Sequence, residues 1–300
     1  MMNDLDMPAV ISRRHMLTGA GLTLGAAAFL RGALAPLPAH AQSGGMLPGL
    51  LTSFSTGGVR FHTYVSPAPA VHVTSHIVEF DDQLLLVDAT MLPQTAAEVA
   101  AAIAATGKPV GTAILSHEHP DHWAGAAALP NVSFATLPAI RDSMRREATG
   151  GDWPEPTNVL NGPDVAPGTT EISGVAVEFR HYTDTEAPDM LVAVLPEQKV
   201  AIVQDLVYNG VYFAPGVDRK NWIATLEGLR DDPAFEILLV GHGLPTSRGD
   251  LDTAIAYVKK MDEVIEASSD PDAAIAAMKA AFPGYEGEFL LSLLPEYWPK

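Results

Sequence analysis

Apolar and polar positions change period several times along the chain, and each change marks an element. Val59-Arg60-Phe61-His62-Thr63-Tyr64-Val65 alternates as a half-buried strand does, Pro67 and Pro69 interrupt it, and residues 71–80 alternate again. Asp81-Asp82 then turns the chain into Leu84-Leu85-Leu86-Val87-Asp88, a continuous apolar run expected of a strand buried on both faces. The alanine-rich segment 93–106 has proline at its start and Gly107 just past its end, the punctuation of a helix. Residues 110–115 read as the next strand, 123–129 as a short helix, 132–135 as a strand and 138–148 as a helix. A loop rich in glycine and proline spans 149–168. Strands are expected at 171–182, 190–195 and 199–204, the last two joined by the turn Pro196-Glu197-Gln198. Helices at 218–229 and 250–267 enclose a further strand at 236–240. Strands and helices alternating in this way predict an α/β layered fold.

One stretch is denser in chemistry than any other. Ser116-His117-Glu118-His119-Pro120-Asp121-His122 directly follows the apolar run 110–115, so it lies at the carboxyl end of a core strand, where open α/β sheets place ligands. Three of the ten histidines fall between positions 117 and 122. In a helix His117 and His119 would point apart, and in a strand they would share a face with Asp121. Pro120 breaks both regular structures, so the segment turns. We therefore expect His117 and His119 on one metal ion, with Asp121 and His122 on a second at the start of the next helix. The chain has no cysteine, which restricts protein ligands to His, Asp and Glu, donors suited to zinc, manganese or iron.

A chain of 300 residues, 47% hydrophobic, holds one large domain or two small ones. The net charge of −18 argues against nucleic acid or an anionic membrane as partner and leaves a small-molecule substrate drawn by local charge. The first 41 residues stand apart. Arg13-Arg14 precedes an Ala/Gly/Leu-rich run to Leu30, and Ala39-His40-Ala41 offers a small-x-small cleavage pattern. This resembles a twin-arginine export signal, so the export machinery is an expected partner and the mature chain, 42–300, is expected to be periplasmic or secreted. An amphipathic helix is disfavoured by Gly19, Gly21 and Gly25, and the uncharged run 15–30 is too short for a membrane span.

His117-x-His119-x-Asp121-His122 resembles the signature of the metallo-β-lactamase superfamily, and the resemblance extends over about 59–267. It implies an αββα sandwich of two mixed β-sheets flanked by helices, a single catalytic domain over 42–300, and a dinuclear site holding two Zn2+, with Fe or Mn as alternatives. It also implies that Asp205 bridges the ions, although glycine usually precedes that residue and here it is Gln204. Val240-Gly241-His242-Gly243 matches the turn that presents the last histidine, so His242 is assigned to the second ion. The first ion's remaining ligand is usually a histidine about ten residues before the Leu-Pro turn. Counting back from Pro196 reaches Glu186, in Glu186-Ala187-Pro188, a replacement similar to that of the alkylsulfatase branch; His181 is the rival. The activity implied is an exported dinuclear zinc hydrolase, in which hydroxide held by the ions attacks a small ester, lactone or sulfate ester while Asp121 orients it or carries a proton. β-Lactam hydrolysis, an iron oxidoreductase of the same fold and a non-catalytic metal-binding accessory protein are the competing readings.

Around this set, Asp88 ends a core strand, where it either orients a ligand histidine or caps a turn. Tyr208, Tyr212 and Phe213 follow Asp205 in an expected loop and either line a substrate pocket or pack. His62, His72 and His76 are read as ordinary strand histidines, and Arg141, Arg145 and Arg146 as a solvated helix face. The apolar tail 283–300 is expected to pack on the domain or on a second copy in a homodimer.

Overall fold

A computed structural model describes residues 46–148, 157–214 and 216–298. The expected export signal at 1–41 and the first half of the 149–168 loop lie outside these residues. Two mixed sheets face each other. The first orders its strands β1 (Leu50–Thr56), β2 (Val59–Val65), β3 (Thr74–Glu79), β4 (Leu84–Val87) and β5 (Val110–Ile114), antiparallel except for the parallel β4/β5 pair. The second contains β6 (Gly168–Ile172), β7 (Val175–Thr183), β8 (Asp189–Leu195), β9 (Val200–Tyr208), β10 (Ile237–His242) and β11 (Thr246–Ser247), in the order β11-β10-β9-β8-β7-β6. Here β9 and β10 form the parallel pair.

Alternation across the second sheet divides the core in two. Leu191, Ala193 and Leu195 of β8, Val200 and Ile202 of β9, and Ile237 and Leu239 of β10 face the first sheet. Their neighbours Val192, Val194, Ala201, Val203, Leu238 and Val240 face the other way, against α5 (Arg219–Asp231), α6 (Leu251–Ala267) and α7 (Pro271–Ala281). Burial on both faces is why these strands read as unbroken apolar runs. The first sheet's core takes in Val99 and Ala102 of α1 (Pro93–Thr106), Trp123 of α2 (Pro120–Trp123) and Ile140 and Met144 of α3 (Pro138–Ala148). The expected helix–sheet–sheet–helix sandwich is thus the observed one.

Several local expectations are corrected. Strand β1 was not foreseen, because its residues are half-exposed at the sheet's edge and carry no clean alternation. The strand expected at 132–135 reduces to the isolated bridge Ile114↔Ala135. The segment 171–182 is a hairpin, not one strand: Ser173 and Gly174 both adopt left-handed backbone (φ 52° and 76°) and reverse the chain between β6 and β7. Helix α7 was not read, although Asp270 caps it by accepting from Ala273 N at 2.9 Å and Pro271 starts it.

The tail packs on its own domain: Leu291 of α8 (Glu288–Leu291) and Leu294 are fully buried in the second core, and the Tyr285 ring stacks 5.7 Å from that of Tyr257. Arg141 is not solvated. It is buried on α3 and binds the carbonyls of Val159 and Pro163 and the Asp164 carboxylate, pinning the segment that carries α4 (Thr157–Leu160). Arg141→Met should lower stability by about 1–3 kcal/mol, because buried acceptors lose their donor; chemical denaturation checks this.

Candidate metal centre

The carboxyl ends of both parallel pairs meet at one rim. Chain leaving β5 is tied to the opposite sheet by Leu191 N donating to Ser116 O at 2.7 Å, and chain leaving β4 is tied to the motif by Ala89 N donating to His122 O at 2.8 Å. Pro120 occupies the first turn of α2, where its missing N–H costs nothing, and the Trp123 indole closes the turn by donating to Glu118 O at 2.6 Å. Glu186 sits in a tight loop between β7 and β8, held by Asp184 N to Pro188 O at 2.9 Å and by Val217 N to Thr185 O at 2.8 Å. Asp205 lies within β9, not at its end. The pairing with β10 skips residues on either side of it, and Gln204 is left-handed at φ 44°, a bulge that turns Asp205 into the site. Gly241 is required beside it, since a Cβ there would stand 1.7 Å from Asp205 Oδ1.

These loops assemble two groups of donor atoms around a shared carboxylate. His119 Nδ1 lies 3.4 Å from Glu186 Oε1, and His117 Nε2 lies 3.9 Å from Glu186 Oε2 and 3.7 Å from Asp205 Oδ2. In the other group His242 Nε2 is 3.2 Å from Asp121 Oδ2 and 3.4 Å from Asp205 Oδ2, while His122 Nε2 is 3.8 Å from Asp121 Oδ2 and 3.1 Å from Asp205 Oδ1. Two donors about 2.0–2.1 Å from one tetrahedral ion are separated by roughly 3.4 Å, so both groups have the spacing of a coordination shell.

Hydrogen bonds on the far side of the rings set the tautomers. His122 Nδ1 donates to Asp88 Oδ2 at 2.7 Å, and His242 Nδ1 donates to Val71 O at 2.7 Å. Ser116 Oγ gives its proton to Asp88 Oδ2 at 2.7 Å, so toward His117 Nδ1, at 2.8 Å, it can act as acceptor alone. As neutral rings, the form a metal requires, all three would carry their proton on Nδ1 and turn the Nε2 lone pair inward. Asp88 also lies within reach of His117 and His122 as a third candidate group, but its oxygens already take His122 Nδ1, Ser116 N, Ser116 Oγ and Gln204 Nε2. It orients ligands instead of joining them, one of the two roles considered for it.

The donor set fits cations. His117 Nε2, His122 Nε2, His242 Nε2, Glu186 Oε2 and Asp205 Oδ1 are buried and form no hydrogen bond. Burial works against a charged His122, but Asp205 and Asp121 prevail and hold it well above the usual histidine range, so positive charge is favoured where its Nε2 stands 3.1 Å from Asp205 Oδ1. Protonation shows the same demand. Burial, reinforced by Asp205 and Glu118 and opposed by His119, pushes the Glu186 carboxyl up to about 8. Burial works to lower His242, yet Asp205 and Asp121 outweigh it and raise it to about 9. Three carboxylates, Asp121, Glu186 and Asp205, thus crowd a buried space in which two divalent ions would balance them.

Other sequence candidates are placed elsewhere. His181 lies on β7 and contacts Asp189 at 2.7 Å across the hairpin, outside the donor groups. His62 bridges Ser53 and Glu79, and His72 contacts Glu286 at 2.9 Å. Tyr212 and Phe213 are buried in the second core instead of lining an open pocket. Tyr208 ends β9 and reaches the site: its hydroxyl donates to Asp205 Oδ2 at 2.5 Å and lies 3.3 Å from Glu186 Oε1, and its ring stacks 4.9 Å from His242. Three participants have no role that the sequence assigns. Ser116 carried the signal of standing next to the motif, and Gln204 that of a polar residue ending an apolar run. Val71 carried none; it holds its carbonyl on His242 from a left-handed backbone (φ 52°), a conformation costing a β-branched residue about 1–2 kcal/mol.

His76 is fully buried, with both ring nitrogens bonded to Thr63, Thr74 and Val240 O at 3.0 Å. Burial, partly offset by the Val240 carbonyl, lowers it to about 4. The unfolded chain therefore binds this proton first, and stability present above pH 6.5 is lost as pH falls toward 4, by about 3 kcal/mol. In metal-free protein, His76→Gln should remove that part of the acid dependence, read as unfolding free energy against pH.

With the geometry in place, the family follows. The chain belongs to the metallo-β-lactamase superfamily, whose family model matches residues 68–242. Membership makes it a metal-dependent hydrolase. Among solved structures it is similar to a metallo-β-lactamase from Pontibacter korlensis (20% identity, 70% of this chain and 99% of that one, TM-score 0.57). It is likewise similar to one from Hirschia baltica (18%, 71% and 98%, TM-score 0.56) and one from Erythrobacter litoralis (17%, 70% and 96%, TM-score 0.52).

Proposed function

We propose that this chain is an exported dinuclear zinc hydrolase acting on a small ester, lactone or sulfate ester. The observation that carries the reading is the pair of donor groups sharing Asp205. His117, His119, Glu186 and Asp205 would hold the first ion, and Asp121, His122, His242 and Asp205 the second. Bound there, the ions supply Lewis acidity and a water acidified to a pKa of about 7. The chain's own residues do the rest. Asp88, Ser116 and the Val71 carbonyl keep three imidazole lone pairs aimed inward. Tyr208 holds the Asp205 carboxylate. The Asp121 side chain, more accessible than Asp205 or Glu186, is the group placed to orient the attacking water and take its proton.

Glu186 in place of the family's usual histidine supports a reaction like that of the alkylsulfatase branch more than β-lactam hydrolysis, because an added negative charge tempers the first ion as an acid. The Arg13-Arg14 leader supports export by the twin-arginine route, with a mature domain beginning near Gln42 in the periplasm or outside the cell. No helix among the described residues is long and apolar enough to cross a membrane.

A panel of aryl esters, lactones, alkyl sulfates, phosphodiesters and β-lactams offered to the zinc-loaded mature protein tests the reading. Turnover of the first three classes is expected, abolished by chelation and by Asp121→Ala with the fold intact. Protein purified from its native host as an iron-loaded, oxygen-consuming enzyme would overturn it.

A further inference from the structure

Position 204 is costly for the residue it holds. Its backbone is left-handed at φ 44°, where glycine would be relaxed and glutamine is not. Its side chain is fully buried, and the amide oxygen forms no hydrogen bond. The strand's alternation explains where the side chain goes. Val200 and Ile202 face the space between the sheets, and Gln204 is next in that series, at the rim where β4 ends. There its Nε2 donates to Asp88 Oδ2 across a sequence gap of 116 residues.

Asp88 connects to both donor groups. It accepts from His122 Nδ1 directly, and from Ser116 Oγ, whose own acceptor site takes His117 Nδ1. One carboxylate thereby sets the tautomer of a histidine in each group. Of the four donors that hold this carboxylate, Ser116 N and Oγ and His122 Nδ1 all come from the motif segment; Gln204 alone comes from the second sheet. Without it, the only side chains left to hold Asp88 among the described residues would be Ser116 and His122, the groups it orients.

Resting on the two-ion reading above, we propose that Gln204 is a positioning residue for metal uptake: by anchoring Asp88 to the second sheet it aligns His122 and, through Ser116, His117, so that loss of its amide weakens both ions together. Removing a direct partner of a metal ligand lowers affinity by roughly 10- to 100-fold, and Gln204, acting one contact further out through Asp88, is expected at the lower end of that range.

The test compares wild type with Gln204→Met, which keeps the length and removes the donor, and Gln204→Gly, which relaxes the backbone and keeps the variant series interpretable if the methionine folds poorly. Zinc affinity at each position is read in the full chain by competition with a chromophoric chelator, and geometry by the visible spectrum of the cobalt-substituted protein. Both variants should lose about 10-fold in zinc affinity at both positions and show altered cobalt spectra. Ser116→Ala should weaken the His117 position more than the His122 position. Wild-type zinc affinities and an unchanged cobalt spectrum in a folded Gln204→Met or Gln204→Gly protein would overturn the inference. Uptake of one zinc ion per chain by wild type would instead overturn the two-ion reading, and the same comparison on that single ion would still decide the role of Gln204.

Discussion

Asp205→Asn is expected to abolish tight binding of both metal ions, not of one. Its Oδ1 stands 3.1 Å from His122 Nε2 and its Oδ2 lies 3.7 Å from His117 Nε2 and 3.4 Å from His242 Nε2, so in the proposed two-ion site one side chain would serve both shells. An amide keeps the size but loses the charge, and its NH2 group presents protons where one shell needs a lone pair. Losing an outer partner costs roughly 10- to 100-fold in affinity, and loss of this shared ligand should exceed about 100-fold at each position. Stability reports the same event. A ligand at 1,000 times its Kd stabilises the native state by about 4 kcal/mol. For a domain of this size that is a rise in Tm of about 10 °C. Zinc should raise the wild-type Tm by that order and leave Asp205→Asn nearly unmoved, as measured by calorimetry with parallel metal analysis. Two tightly held zinc ions in Asp205→Asn would sink the assignment of a bridging role.

Glu186→Gln should lower occupancy of the first position by more than about 10-fold, whereas His181→Gln should leave it unchanged, because His181 is engaged with Asp189 at 2.7 Å away from the site. Glu186 also gives uptake a distinctive pH dependence. Burial, with Asp205 and Glu118 adding to it, holds the metal-free carboxyl up to about 8, so near pH 7 the ion must displace a proton. Affinity should therefore rise with pH through that range and weaken as pH falls below about 8, with the Glu186 proton among those released when the first ion binds. In Glu186→Gln that proton is absent. Titration calorimetry in buffers of different ionisation enthalpy measures it directly. Equal or reversed losses in the two variants would reject Glu186 as ligand.

Much of the candidate site was legible because its signals are local. The spacing of His117, His119, Asp121 and His122, broken by Pro120, implies a turn, and helix α2 does begin at Pro120. Gly241-His242-Gly243 was readable through the family resemblance, and the structure gives the reason for its glycines: a Cβ at Gly241 would collide with Asp205 and one at Gly243, φ 93°, would stand 2.3 Å from Asn209 O. Glu186 was reached through the resemblance, by counting back from Pro196 to where the family usually has a histidine. Reading failed where an element's pattern was weak or its role lay across the molecule. The half-exposed β1 had no periodicity to read, and 171–182 hid a two-residue reversal. Tyr208 looked like part of a loop because the bulge at Gln204, which lets β9 continue, depends on pairing with β10.

The sequence by itself determined the layered α/β architecture, the four-residue motif at the end of β5 and the restriction of ligands to imidazole and carboxylate. Periodicity, proline and the absence of cysteine act at short range or on the whole chain at once, and need no partner to be interpreted. Only the tertiary structure decided which lone pairs face inward. That depends on Asp88, Ser116, Gln204 and the Val71 carbonyl meeting the rings from separate strands, and hydrogen bonds between residues as far apart as Val71 and His242 leave no spacing in the sequence.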